Sequence, residues 1–372
     1  MNALDACTTS VSNTCIGNNA GGAITTGNGE NVCVGNNAAA NMTTGQQNIF
    51  IGDNCAAGAA VTGTVNTIIG DNAGYDLTTG SANVALGAAA LANTSTGERN
   101  TALGYYALHQ CTVGDNTAVG YNALLDCTTG TPNTAVGKDC AANVTTGGNN
   151  CALGLGAMYN TTTGDRNVAL GRDALQSNTT GSNNVVIGTY AADGYSGASG
   201  NTIIGDSAAT NGTGNSGNNV VIGNSAGTDA VFNMGGSGDR IVIGNNSNTN
   251  AYIKIDWTVT SDKRDKIEDG TVSHGLDFVN QLIPKSFWFR KDRDSDEKTG
   301  QKRYGFFAQD ILELEGSDNV IIDNEDPENL KYKGEHLVPI LVNAIKELSA
   351  ENTALKDLIK NSSSFAKLKS SL

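Results

Sequence analysis

A serine and a lysine stand five residues apart in Ser261-Asp262-Lys263-Arg264-Asp265-Lys266, directly after the Thr260–Ser261 peptide bond. A serine hydroxyl is a weak nucleophile until a base takes its proton. A lysine can be that base where burial or neighbouring positive charge favours its neutral form. Asp262 and Asp265 read as turn or capping residues, and by charge alone they oppose that neutral form. A five-residue offset does not put two side chains on one helical face. The pair has to meet across a strand-to-turn bend, or between two chains. Alone, six such residues are more often a solvated linker, so the flanking sequence decides. His274 and His336 are further candidates for polar members of the site.

The two flanks are unlike each other. Glycine reaches 47 of 372 residues, about twice its usual share, with only 4 prolines and no three-residue period. Residues 1–260 carry 6 basic against 16 acidic side chains, and residues 261–372 carry 17 against 21. With a net charge of −14 and no basic patch, nucleic acid is excluded as an expected partner. Eight cysteines, at 7, 15, 33, 55, 111, 127, 140 and 151, fill slots where other repeats carry Ala, Val, Ile or Met, so they read as small buried hydrophobes. Neither a Cys-x-x-Cys pair nor a Cys/His cluster occurs, so no metal, disulfide or cofactor is expected. The opening MNALDACTTS has no secretory character, and no apolar run approaches membrane-spanning length. A soluble chain that folds in a reducing cytoplasm is expected.

Upstream of the hinge the sequence repeats itself. Asn-x-x-(Val/Ile/Leu)-Gly begins at Asn13, Asn31, Asn48, Asn66, Asn83, Asn100, Asn116, Asn133, Asn150, Asn167, Asn184, Asn201 and Asn219, with a degenerate copy at Arg240. Most steps are 17 residues, and Thr-Thr-Gly recurs between copies, as at Thr128-Thr129-Gly130. Such self-similarity marks a solenoid. Because the second, third and fourth positions of each unit are all mostly apolar or β-branched, the short strand reads as buried on both faces. One coil covers one face, and identical neighbouring chains are the economical cover for the other. Small residues three past each glycine (Ala20, Ala38, Cys55, Ala73, Ala107) suit a tight corner, and the asparagines suit a ladder between rungs. Gly223-Asn224-Ser225-Ala226-Gly227 matches a nucleophile elbow only because the repeat passes through it. The array resembles the β-roll head repeats of trimeric autotransporter adhesins and similar runs in phage tail fibres.

Past the array, Tyr252–Trp257 alternates like a strand and leads into the hinge. Leu276, Phe278, Val279, Leu282 and Ile283 have helical spacing closed by Pro284. Phe287-Trp288-Phe289 and Tyr304–Ala308 read as two strands joined by a charged loop. That loop has Glu297 and Arg303 where a calcium loop needs Gly and Glu, so it reads as solvated. Leu337, Leu341, Ala344, Leu348, Leu355 and Leu358, widened by Ile345 and Ile359, mark a helix over 337–360, either a short trimerising coiled coil or one packed on its own domain.

In order, the hinge hexapeptide, Leu282-Ile283-Pro284, Phe287-Trp288-Phe289, Gly305-Phe306-Phe307-Ala308-Gln309-Asp310, Tyr332 and Leu337-Val338-Pro339-Ile340 resemble the intramolecular chaperone found at the C-termini of phage tail spikes and endosialidases. A related domain occurs in a membrane-tethered transcription factor. The resemblance implies trimerisation, folding of the fibre ahead of it, and self-cleavage just before the serine. Ser261 would be nucleophile and Lys266 base, at most once per chain.

The expected architecture is therefore mainly β. A trimeric β-roll or β-solenoid shaft spans 1–245 and a connecting strand 246–260. A small α+β chaperone domain, 261–372, ends in the coiled-coil-like helix. The expected role is a bacteriophage tail fibre, carried in the virion, that binds a host-surface receptor, a glycan among the candidates. Leu4–Ser10 reads like the tail half of a repeat, so the first coil is expected to dock on an upstream tail or fibre protein, or to continue a longer fibre. A polysaccharide-degrading spike and a bacterial surface adhesin are the rival readings. The first lacks recurring paired carboxylates, and the second lacks a visible leader or anchor. No membrane insertion is expected.

Overall fold

The structure is a computed structural model that describes residues 3–25, 29–212, 217–228, 238–245, 247–248, 261–290, 293–317, 319–324 and 327–361. The chain divides into two compact units, 1–246 and 247–372. The alternating segment 252–257 and Thr260 lie outside the described residues.

The first unit is a β-solenoid. Its fourteen short strands, β1 (Thr14–Ile16) to β14 (Ile241–Ile243), form a single parallel sheet in chain order. Register follows the repeat, so Ala102, Ala118, Ala135 and Ala152 stand opposite one another on successive strands. A three-residue strand sends only its middle side chain to one face. That residue is the third of each repeat, and Phe50, Ile68, Ala102 and Val186 are fully buried there.

The strand ends at a glycine with φ between +137° and +145° in Gly87, Gly104, Gly120, Gly137 and Gly154. These glycines stack directly, and a Cβ on Gly120 would lie 2.3 Å from the Gly137 carbonyl oxygen. The corner that follows also uses left-handed residues that are not glycine, such as Asn122 (φ +54°) and Leu124 (φ +50°). Left-handed backbone costs a leucine about 1–2 kcal/mol, whereas burying its side chain contributes about 1.5–3 kcal/mol. Leu124 is fully buried, so burial wins. The small slots at Ala20, Ala38, Cys55, Ala73 and Ala107 are fully buried, as their size suggests.

The asparagine column is the solenoid's internal brace. Each Oδ1 accepts the backbone N–H of the next asparagine, as Asn167 does from Asn184 at 3.0 Å. In half of the column Nδ2 donates to the glycine carbonyl that closes the turn before the next strand, as Asn167 does to Gly181 at 2.9 Å. Asn167 is fully buried, so removing its amide strands the Asn184 N–H away from water, while the Gly181 carbonyl keeps its bond from Asn178 Nδ2. At about 1–3 kcal/mol for a stranded group, Asn167→Ala should lose about 1–3 kcal/mol, read as a lower denaturant midpoint. A second ladder runs outside it: the Thr112, Thr128, Thr145 and Thr162 hydroxyls each donate to a carbonyl one coil on, at 2.8–3.2 Å.

One expectation needs correction here, the burial of every cysteine slot. The strands are covered on one face within the single chain, as one coil allows, and open on the other. Their second and fourth residues point away from the core, and Leu86 and Leu153 are 53% and 51% exposed. Cys151 occupies such an outward position and is exposed, unlike Cys33, Cys55, Cys111, Cys127 and Cys140. For the buried thiols desolvation disfavours the thiolate, pushing Cys55 and Cys140 up to about 12.

The second unit is small. Helix α1 (Leu276–Gln281) lies against the long helix α3 (Leu337–Asn361). A hairpin of β15 (Lys285–Arg290) and β16 (Lys298–Gly305) comes between them in the chain. Helix α2 (Ala308–Glu315) and a short pair, β17 (Ile322–Asp323) with β18 (Lys331–Tyr332), follow it. The second expected strand thus stops at Gly305, and Ala308 opens a helix instead. The core is Phe278, Ile311, Ile321, Ile322, Leu337 and Ile340. Glu315, though buried, accepts the N–H groups of Val320, Ile321 and Ile322.

The last helix packs on its own domain by one face and leaves an apolar face open. Leu337, Ile340 and Ala344 are buried, while Val338, Leu341, Ile345, Leu348, Leu355, Leu358 and Ile359 stay 37–66% exposed. Among the described residues, no helix is long and apolar enough to cross a membrane, and no group of three His, Cys, Asp or Glu could hold a metal.

Candidate functional site

The hinge folds into one tight turn. Lys263–Asp265 is a 3-10 helix, with Asp262 as its N-cap in extended backbone and Lys266 as its C-cap. The N–H groups of Asp265 and Lys266 donate to the carbonyls of Asp262 and Lys263 at 3.1 and 3.2 Å. The chain therefore reverses between residues 261 and 266, which bridges the five-residue offset. Lys266 Nζ donates to Ser261 Oγ at 2.6 Å.

Side chains hold this turn in the absence of packing, since it contains no buried residue. The Asp262 carboxylate accepts the Arg264 backbone N–H at 2.9 Å, the bond a capping aspartate is suited to make. The Arg264 guanidinium folds back onto the same carboxylate, with Nε 3.1 Å from both oxygens and Nη2 bonded as well. These bonds hold the Asp262 carboxyl below its usual range and raise Arg264. Asp262 caps as its residue type suggests. Asp265 lies inside the turn and donates its N–H there.

Helix α3 anchors the chain just downstream. Glu347 accepts the Leu276 N–H at 2.6 Å, supplying an acceptor at the start of α1, where Gly275 has no side chain to cap with. Asn343 Nδ2 donates to the His274 carbonyl at 3.0 Å. A Cβ on Gly275 would lie 2.1 Å from Glu347 Oε1, so glycine is required for this approach. His274 stacks on Phe278 at 4.4 Å between ring centres, and His336 sits exposed in a 3-10 turn before α3. Sequence reading missed the Arg264 clasp and the two α3 contacts. Asp-x-Arg was the available signal for the first. Nothing local signals the second, which joins residues 71 positions apart.

The match to a known family begins at Ser261. Residues 261–320 match the family described as Chaperone of endosialidase. The C-terminal unit is therefore similar to a chaperone domain of this kind from Ser261 through α1, the hairpin and α2. No curated protein and no solved structure matches the chain.

The dyad lies in water in the single chain. Ser261 and Lys266 are both exposed, and the next residue, Ile267, is 98% exposed. The turn therefore supplies reach between the two side chains. A large aliphatic beside the dyad, together with the open face of α3, offers apolar surface for a cover.

Proposed function

We propose that the chain is the subunit of a homotrimeric phage tail fibre or spike. Its chaperone domain drives assembly and then releases itself by cutting between Thr260 and Ser261. The observation that carries this is the 2.6 Å contact between Lys266 Nζ and Ser261 Oγ at the first residue of the matched domain. In the proposed step neutral Lys266 takes the Ser261 hydroxyl proton, and Oγ bonds to the Thr260 carbonyl carbon. The carbon–nitrogen bond to Ser261 breaks, and the lysine returns its proton to that nitrogen. Water then hydrolyses the ester, leaving a Thr260 carboxylate and a restored Ser261 hydroxyl. Thr260 itself is outside the described residues.

Two apolar surfaces support assembly with identical copies. The fourth residue of every repeat, from Ile16 through Ile69, Val119 and Leu170 to Ile243, forms an outward aliphatic row along the sheet. Covering a half-exposed aliphatic is worth on the order of 1 kcal/mol, and the row recurs in every coil. A periodic row finds its best partner in the same row of another copy. The exposed 3–4 pattern on α3 is the second such surface, and suits a coiled-coil seam.

Assembly places the reactive turn beside other copies, where loss of water favours a neutral amine. Processing would then report a completed fibre, and leave it held by its own barrier to unfolding. Host recognition is assigned to the solenoid, and an upstream tail protein to its N-terminal end.

Sedimentation of the native protein, with intact mass measured beside it, tests the reading. A trimer containing a product ending at Thr260 is expected; a monomeric or permanently uncut wild type overturns it. Cys151 tests the covered row separately. It is exposed in the single chain, so it should resist alkylation in the assembled fibre. Rapid labelling of native trimer at Cys151 would refute coverage of that face.

A further inference from the structure

The clasp between Asp262 and Arg264 has a consequence for the dyad beyond closing the turn. Asp262 is the carboxylate adjacent to Ser261, in the same tight turn as Lys266. Left open, it would compete with the serine hydroxyl for the lysine, and the resulting ion pair would hold the lysine in its charged form. Instead Arg264 occupies both of its oxygens, through Nε and Nη2. A guanidinium cannot give up its proton and matches a carboxylate in a fork, so the occupation persists across the working pH range. Lys266 is left with the Ser261 hydroxyl at 2.6 Å. The other charged groups nearby, Lys263, Asp265, Glu268 and Asp269, lie on this same stretch, and all are exposed. Among the described residues no carboxylate forms an ion pair with Lys266.

We propose that Asp262 and Arg264 are positioning residues for the Ser261–Lys266 pair: Arg264 sequesters the Asp262 carboxylate so that Lys266 serves the serine. This rests on the reading of the pair as a self-cleavage site. Arg264 touches neither reacting atom and acts through Asp262.

The test follows the cleavage rate of the full chain against pH for wild type, Arg264→Ala, and Arg264→Ala combined with Asp262→Asn. Arg264 is a solvent-exposed side chain, so assembly should survive its loss, and sedimentation of each variant checks that. Arg264→Ala frees the carboxylate. It should slow cleavage at neutral pH about tenfold or more and move the rate–pH curve to higher pH. Adding Asp262→Asn removes the competing charge while keeping an oxygen that can cap the turn. The double variant should recover most of the lost rate and return the curve towards wild type. A purely structural clasp predicts the reverse, a double variant as slow as the single one with an unmoved pH curve, and that result overturns the proposal. So does an Arg264→Ala chain that cleaves like wild type. A wild type that never cleaves overturns the underlying reading as well, and is recognised before any variant is compared.

Discussion

Ser261→Ala should leave the chain whole while the trimer still forms. The substitution removes one exposed oxygen from a turn that contains no buried residue, so assembly has no reason to fail. The reaction, however, loses its nucleophile, and the turn offers no second hydroxyl or thiol between 261 and 266. Cleavage should fall to zero on the timescale on which wild type is complete. Lys266→Ala should cost about 10²–10⁴-fold, the usual contribution of a positioned general base. Lys266→Arg should be no better, because a guanidinium keeps its proton. Denaturing electrophoresis with intact mass reads all three. Cutting at the Thr260–Ser261 bond in Ser261→Ala would eliminate the serine mechanism outright.

Gly120→Ala should be among the most damaging single changes in the solenoid. With φ at +139°, Gly120 occupies backbone that a side chain adopts only under strain, at about 1–3 kcal/mol. The added methyl would also lie 2.3 Å from the oxygen and 2.6 Å from the carbon of the Gly137 carbonyl. That neighbour is backbone in a sheet, and cannot turn aside. Relief would require two rungs to separate, breaking ladder bonds on both sides, so a loss above about 3 kcal/mol is expected. Gly74→Ala is the matched control. Its φ of +55° is the left-handed value that Leu91, Leu108 and Leu124 adopt at the same repeat position, and its nearest neighbour is the end of the Ile68 side chain. There the change should stay within about 1 kcal/mol. Thermal unfolding of the two variants compares them, and similar midpoints would refute the stacked-glycine account.

The contrast between these glycines indicates what the sequence made legible. Recurrence of Asn-x-x-aliphatic-Gly fixes strand, corner and register together, because each coil solves one packing problem in the same way as the next. Less visible was which strand positions face inward. Aliphatic residues at the second and fourth positions imply burial, but within one chain only the third reaches the core, as Phe50 and Ile68 do. Sequence records that a face is apolar without recording whose surface covers it. At the hinge, the Ser261–Lys266 spacing could be read because the two residues share a turn. Reach across the unit could not be read: Glu347 and Asn343 hold residues 274–276 through contacts that no local period encodes. The Thr-Thr-Gly hydroxyl ladder was in plain view as a recurring motif, yet its bonds run between coils rather than within one.

The asparagine brace makes the coil a unit of measure. Every Oδ1 link joins a residue to its counterpart one coil away, as between neighbours 16, 17 or 18 residues apart along the chain. Gaining or losing a whole coil would leave each remaining link with a partner of the same kind, and would change the solenoid's length by about 4.8 Å. A lineage could therefore adjust how far this protein reaches by duplicating or deleting short stretches of gene, without redesigning a single contact. The irregular steps show that the ruler tolerates small errors in copying, because extra residues are taken up between one asparagine and the next.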